Sequence, residues 1–277
     1  MVTRSAKILV LCKTYPSPSS KYSETSCVAG MEQTGSLIRL FPVPFRLIKD
    51  DQQFKKWQVV EATLEKARDD NRPESHHIKV DTIKKVGSPL STKNGWADRW
   101  TYLSKAPIYD DYAAVEVARQ AAGRTLALLR PSEIIGFDIT AAASPDWTVQ
   151  ERKNLLRHQQ QAGLFDDADA PAIKTLRKLP HEFHYRYRCR VRGVDAEYRH
   201  KIVDWEIGAL YWNCRRRYGK DWEAPFRAKL ERDLPAADLI FLMGTIHRFP
   251  DQWLIVSLIY PPRPQPPQTA QRSLFDL

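Results

Sequence analysis

Four carboxylates stand where phosphodiester chemistry could use them: Asp138, Asp204, Glu206 and Asp238. Grouped acids can hold Mg²⁺ and activate a water for cleavage of a phosphodiester. Asp204 has a competing use, because it directly precedes the apolar positions Trp205, Ile207, Leu210 and Tyr211. There it caps a helix N-terminus, and Glu206 complements the same dipole. His76, His77, His181 and His184 could ligate a metal, but isolated strand histidines more often serve structure or face water. Cys12, Cys27, Cys189 and Cys214 lie far apart with no CxxC pair, whereas structural zinc sites present their ligands in close pairs. The chain has no Gly-rich phosphate loop, no GxSxG and no HExxH. No catalytic residue, metal site or cofactor is therefore expected. A metal-dependent nuclease stands as the alternative.

Charge points to a different chemistry. Lys and Arg number 43 against 33 acids, a net charge of +10. Such a surplus favours a polyanionic partner through salt-sensitive attraction to phosphates. Its densest run is Phe183 to Arg192, with arginines at 186, 188, 190 and 192. At a strand's period of two, Arg186, Arg188, Arg190 and Arg192 project from one face, with Tyr185, Tyr187, Cys189 and Val191 on the other. The guanidinium row reads as a nucleic-acid contact; the plainer alternative is the solvated face of an edge strand.

The elements that must position these residues are mostly short strands. Ala6–Thr14 is a buried-type run, Ser36–Ile48 alternates around two prolines, and Trp57–Lys66 and His77–Lys85 follow across the turn at Asp69–Pro73. Helices are expected at 50–56, 96–103, 111–122 and 148–161, the last capped by Asp146 or Thr148. Strands at 124–129 and 133–140 begin a second unit. In it, strands Phe183–Val191 and Glu197–Val203 precede helices from Trp205 to Gly219 and from Trp222 to Leu234, and a hairpin of 238–247 with 253–260 follows. The expected fold is α+β and strand-rich: two small OB-like curved barrels with intervening helices and a flexible Pro-rich C-terminal tail. Domains are expected at 1–120, 121–262 and 263–277. Hydrophobic residues make up 43%, and the longest apolar runs, such as Leu239–Met243, are far short of a membrane span. With no signal-peptide pattern, a soluble cytoplasmic protein is expected.

Several phrases resemble a family of bacterial proteins described as carrying dual OB-fold domains. They are Cys12-Lys13-Thr14-Tyr15-Pro16 with Ser19, Lys21-Tyr22, Glu24-Thr25, Cys27 and Ala29-Gly30, then Arg39 to Arg46, and Asn71 to Ser75. Asp204-Trp205-Glu206 with Gly208 and Leu210, and later Gly244-Thr245 with Trp253, are similar to the same family. The resemblance implies a nucleic-acid-binding fold in a repair or antiphage-defence setting, without an established reaction. In the residues themselves, Lys13, Tyr15, Lys21 and Tyr22 cluster in one loop-rich segment, while Arg39, Phe41, Phe45 and Arg46 alternate along the next strand. Basic and aromatic residues so interleaved suit single-stranded DNA or RNA, which OB-type surfaces hold by stacking and phosphate attraction. The alternatives are core packing for Phe41 and Phe45, and one buried structural network of Glu24, Arg39, Arg72 and Glu74.

The chain ends in Pro261 to Pro267, an extended spacer, followed by Gln271-Arg272-Ser273-Leu274-Phe275. This pentapeptide resembles the peptides that dock on the bacterial DNA polymerase sliding clamp (its beta subunit). Gln271, Ser273, Leu274 and Phe275 match, and Arg272 departs from the usual apolar second residue. A glutamine at a pocket rim and a Leu-Phe pair in an apolar cleft are hot-spot anchors. Gln161, Leu164 and Phe165 repeat the spacing, so one chain could reach two pockets of a dimeric ring. The expectation is a nucleic-acid-binding accessory protein brought to the clamp in replication, repair or antiphage defence. A clamp-recruited nuclease and a clamp inhibitor of phage or mobile-element origin are the other outcomes. In a pull-down with the clamp, Leu274→Ala/Phe275→Ala is expected to abolish retention and Leu164→Ala/Phe165→Ala to weaken it; full retention of the tail variant would refute docking there.

Overall fold

The computed structural model describes residues 3–21, 23–156, 176–191 and 193–263. Its first sheet holds β1 (Thr3–Lys13), β2 (Ser17–Ser19), β3 (Ser23–Glu32), β4 (Leu37–Val43), β5 (Val59–Lys66), β6 (Ser75–Ile78) and β7 (Lys84–Val86). The order β1-β3-β4-β6-β5 closes on itself because β5 also pairs with β1 along Thr3–Leu9. Only β4 and β6 run parallel among these five. The result is a five-stranded Greek-key barrel of the OB type. Ile8, Val10, Val28, Leu40, Val60 and Leu64 fill it and are fully buried.

β1 is apolar on both faces. Ile8 and Val10 point into the barrel, whereas Leu9 and Leu11 join a second cluster outside it. That double burial explains why this stretch shows a continuous apolar run instead of an alternation. β3 is central yet unforeseen, since Ser23 to Glu32 holds few β-branched or aromatic residues. Its small residues serve packing: a Cβ on Gly30 would run into Ile8 and the Leu9 carbonyl.

The second sheet is ordered β10-β11-β12-β14-β13-β9-β8. Its strands are β8 (Ile108–Tyr109), β9 (Leu126–Leu129), β10 (Glu133–Ala141), β11 (His181–Val191), β12 (Val194–Ile202), β13 (Ile240–Thr245) and β14 (Trp253–Ile259). β9 pairs with β13 and β10 pairs with β11, so 126–141 acts as one strand broken at Pro131, which has no N–H to donate. β12 meets β14 in parallel, as β4 meets β6. The strand order of the first barrel therefore recurs, with the broken first strand joining the two ends of the sheet.

Helices α1 (Lys93–Leu103) and α2 (Tyr112–Ala122) link the barrels, and α3 covers 149–156. Thr148 and Glu151 form a reciprocal capping box for α3 at 3.2 and 2.8 Å. α4 (Trp205–Tyr218) and α5 (Glu223–Arg227, continuing as a π-helix through Asp233) lie between β12 and β13. They cover the aromatic core of Phe183, Tyr185, Tyr187, Phe226 and Phe241. Among the described residues no helix is long and apolar enough to cross a membrane.

Three expected elements differ. Residues 50–56 form turns, not a helix. Phe54 and Trp57 enter different core clusters, whereas residues three apart on a helix would share a face. The strand from Ser36 stops at Val43, and the one from His77 is interrupted by a 3₁₀ turn at Val80–Thr82.

The barrels share one apolar cluster, in which Leu9, Leu11 and Met31 meet Leu128, Ile240 and Leu242. Beside it lies a buried charge. Asp204 accepts from the Glu206 N–H at 2.9 Å and the Leu258 N–H at 3.0 Å, and lies 3.6 Å from Lys56 Nζ. The Ser257 hydroxyl is 3.0 Å from both Asp204 and the Leu11 carbonyl, so cap, hairpin and first barrel meet at one carboxylate. Asp204→Ala would leave the buried Lys56 ammonium with Glu206 as its remaining carboxylate beside the Leu258 carbonyl, and is expected to cost about 3–5 kcal/mol in chemical denaturation. Glu206→Ala, half exposed, should cost under about 1 kcal/mol.

Candidate nucleic-acid interface

OB barrels hold oligonucleotides on the face of their second and third strands, flanked by the first and last interstrand loops. In the first barrel this is the outer face of β3 and β4 with loops 14–22 and 67–74. The second barrel covers most of it. Arg39, expected to touch nucleic acid, is 2% exposed. Its guanidinium donates to the Thr125 carbonyl at 2.9 Å, the Thr125 hydroxyl at 3.0 Å and Ser75 Oγ at 3.3 Å. Glu74 completes the arrangement by accepting from Thr125 N and Oγ1 at 2.8 and 2.7 Å. Arg39 is thus a structural residue between the barrels, because a guanidinium this deep must spend its donors on protein. Arg72 pairs with Asp70 at 2.7 Å and reaches the Thr245 carbonyl at 2.6 Å.

Lys13 is also turned inward. Its ammonium sits 3.7 Å over Phe45, 5.2 Å from Trp205 and 5.7 Å from Phe54, and donates to the Phe54 carbonyl at 3.0 Å. Burial pulls its pKa down to about 8 despite the nearby Glu206. Its ammonium is held in an internal cation–π cage. Arg46 pairs with buried Glu24 at 3.2 Å. Lys21 lies in the turn after β2, while Tyr22, Arg192, Gln161, Leu164, Phe165, Gln271, Ser273, Leu274 and Phe275 fall outside the described residues.

The arginine strand alternates as its spacing requires, with Tyr185, Tyr187 and Cys189 buried. Its outer face is not a cationic row, however. Asp138 accepts from Arg186 at 3.1 Å and Arg199 at 2.8 Å, and these guanidiniums hold its pKa below the usual carboxylate range. Arg188 bonds Glu133 at 2.6 Å and Glu197 at 2.7 Å, Arg190 bonds Asp195, and Lys201 bonds Glu182 at 2.6 Å. Arg186, Arg188, Arg190, Arg199 and Lys201 therefore face Glu133, Asp138, Glu182, Asp195 and Glu197, five charges against five. A lattice with no net charge attracts a polyanion weakly, and the neutralising acids come from β10, β12 and the start of β11.

Some of the charge without an ion pair among the described residues lies by α4. Tyr15, Arg46, Arg177, Trp205, Ala209, Trp212 and Asn213 line an open groove of about 320 Å³ between loop 14–22 and this helix. Trp205, Ala209 and Trp212 share one helix face by their spacing of four and three. The Tyr15 hydroxyl accepts from Trp212 Nε1 at 2.9 Å and donates to the Arg177 carbonyl at 2.8 Å. Gly208 permits this, since a Cβ there would strike the Tyr15 ring. The Arg177 guanidinium lies 3.6 Å over the Trp212 ring, exposed and without an ion pair among the described residues. The last turn of α4 adds exposed Arg215, Arg216 and Arg217, followed by Lys220, again with no ion pair among the described residues. Of the residues expected from sequence to touch nucleic acid, Tyr15 and Arg46 belong to this groove. Arg177 and Trp212 were missed, although the 205–209–212 spacing marks a second apolar stripe on a helix already amphipathic through Ile207, Tyr211 and Cys214.

The four carboxylates considered for metal chemistry each have a cationic neighbour: Asp138 as above, Asp204 and Glu206 with Lys56, and Asp238 with Arg130 at 2.9 Å. No group of three His, Cys, Asp or Glu is placed to share a metal among the described residues, and the four cysteines are free thiols.

A model for a family described as a domain of unknown function, DUF8757, matches residues 111–277, more than half of the chain. The chain belongs to that family. A second such description, DUF8758, matches residues 4–105. No protein of curated function matches. One solved structure similar to it is a chain of a replication protein A heterotrimer bound to single-stranded DNA, at 8% identity and a TM-score of 0.23. The match covers 93% of this chain and 65% of that one, so this chain spans just under two thirds of its length.

Beneath the charge lattice, His200 is half-buried, with Nδ1 3.0 Å from the Tyr187 hydroxyl. Burial lowers its pKa from 6.5 to about 4. Between those values the unfolded chain binds a proton that the folded one refuses, so stability falls as pH drops from 6.5 to 4. Its share is up to about 3 kcal/mol. Urea midpoints across that range should fall less steeply in His200→Gln than in the parent, and parallel slopes would contradict the assignment.

Proposed function

We propose that this chain is a two-barrel protein that binds single-stranded nucleic acid along the groove between loop 14–22 and α4. The carrying observation is Arg177, 3.6 Å over the Trp212 ring with no ion pair among the described residues, at the edge of the basic last turn of α4. An aromatic platform next to fixed positive charge is what a sequence-tolerant single-strand site requires. Two barrels of OB type support the same view and the resemblance to dual OB-fold proteins. Gln271 to Phe275 supplies, on sequence alone, a means of recruitment to the bacterial sliding clamp. The protein then acts as an accessory factor in replication, repair or defence.

The test is a titration with a thymidine 20-mer at several salt concentrations. Affinity should fall with salt, and Arg216→Ala/Arg217→Ala should reduce the log–log slope by about 0.7 for each phosphate no longer neutralised. Arg190→Ala should leave the slope unchanged, since Arg190 is paired with Asp195. A reduced slope in Arg190→Ala but not in the α4 variant would move the interface to the β11 face and overturn the assignment.

A further inference from the structure

Where the second barrel fails to cover the ligand face of the first, a cavity of about 250 Å³ remains. Cys27, Arg39 and Phe41 of the first barrel form one side, and Thr245, Leu254 and Val256 of the second form the other. The loop 67–74 with Arg72, and His77 and His247 at the margin, enclose it further. It thus occupies the position where an OB barrel takes its ligand, but as a pocket and not an open groove.

The charges say what can enter. Arg72 is spent on Asp70, Arg39 on Ser75 and Thr125, and His77 lies 2.8 Å from Asp69. The lining sets the guanidiniums of Arg39 and Arg72 against the carboxylates of Asp69 and Asp70, so no net positive charge is offered to a phosphate. What is offered is an exposed aromatic face, Phe41 at 42% exposure, and an apolar floor. Opposite, Thr245 is 5% exposed and its hydroxyl has no hydrogen-bond partner among the described residues. Its backbone is satisfied, since its carbonyl accepts from Arg72 and its N–H donates to the Thr125 carbonyl. A buried hydroxyl left unpaired is costly unless a ligand or water meets it. The volume lies below that of sites for drug-sized ligands, which suits one flat heterocycle.

We infer that this cavity takes a single nucleobase, stacked on Phe41 with its polar edge toward Thr245. The inference rests on the strand-binding proposal, and it places the two sites side by side: Thr14 borders the cavity while its neighbour Tyr15 borders the groove. A base turned out of a bound strand into an apolar pocket is read by stacking and by hydrogen bonds to its edge.

Saturation-transfer NMR of thymidine and deoxyadenosine against the full chain tests the cavity directly. Base protons should be saturated by the parent protein, with an effect at least about fivefold weaker in Phe41→Ala and in Thr245→Val. In strands, removal of one base stack corresponds to about 5- to 150-fold in affinity for Phe41→Ala, with no change in salt slope. Equal saturation by parent and variants, or none by the parent, overturns the inference. If nucleosides give no effect while the thymidine 20-mer still binds with the slope set by α4, the cavity assignment alone fails. If nucleosides are saturated and the 20-mer does not bind, the groove assignment fails and the cavity stands.

Discussion

The apolar contact between the outer face of β1, β3 and β4 and the strands β9, β13 and β14 governs the rest of the molecule. Leu9, Leu11, Leu128, Ile240 and Leu242 are fully buried in it. Each such side chain contributes roughly 1.5–3 kcal/mol relative to exposure. The same contact consumes the surface on which an OB barrel usually holds its ligand. Polar groups trapped there must satisfy one another, and they do so through Arg39, Thr125 and Glu74 and through Arg72 and Asp70. Asp204 extends this logic, since one carboxylate caps α4 while meeting Lys56 of the first barrel and Leu258 of the second.

Once that contact is formed, the remaining binding surface is displaced to its margins. Fixing the start of α4 against the first barrel brings Tyr15 over Gly208 and next to Trp212, which builds the groove. The imperfect end of the contact leaves the cavity beside Phe41. Both features are consequences of how two curved sheets meet, and neither belongs to one barrel alone.

The charge follows a similar rule. A net charge of +10 does not say where the excess lies. Arginines on β11 are matched by acids on β10 and β12, strands that lie near it only after the sheet forms. Those of the last turn of α4 meet no such partners among the described residues, and there the field can act on a phosphate.

Much of the fold was legible in the sequence. The period of two in 183–191, the apolar run of β1, and the cap and stop of α4 at Asp204 and Gly219 are local patterns, set by backbone geometry and solvent exclusion. They determined a strand-rich α+β chain with two barrels. β3 escaped because its small residues answer to the packing of β1, not to strand propensity. The sites were legible only as ingredients. Lys13 and Arg39 have the right chemistry for nucleic acid but the wrong surroundings, and Arg177 and Trp212, 35 residues apart, had no sequence pattern to join them. Sequence by itself determined which strands and helices form and which residues carry charge and aromatic rings. Only the tertiary structure decided which of those rings and charges stay accessible, because accessibility depends on partners brought from distant parts of the chain.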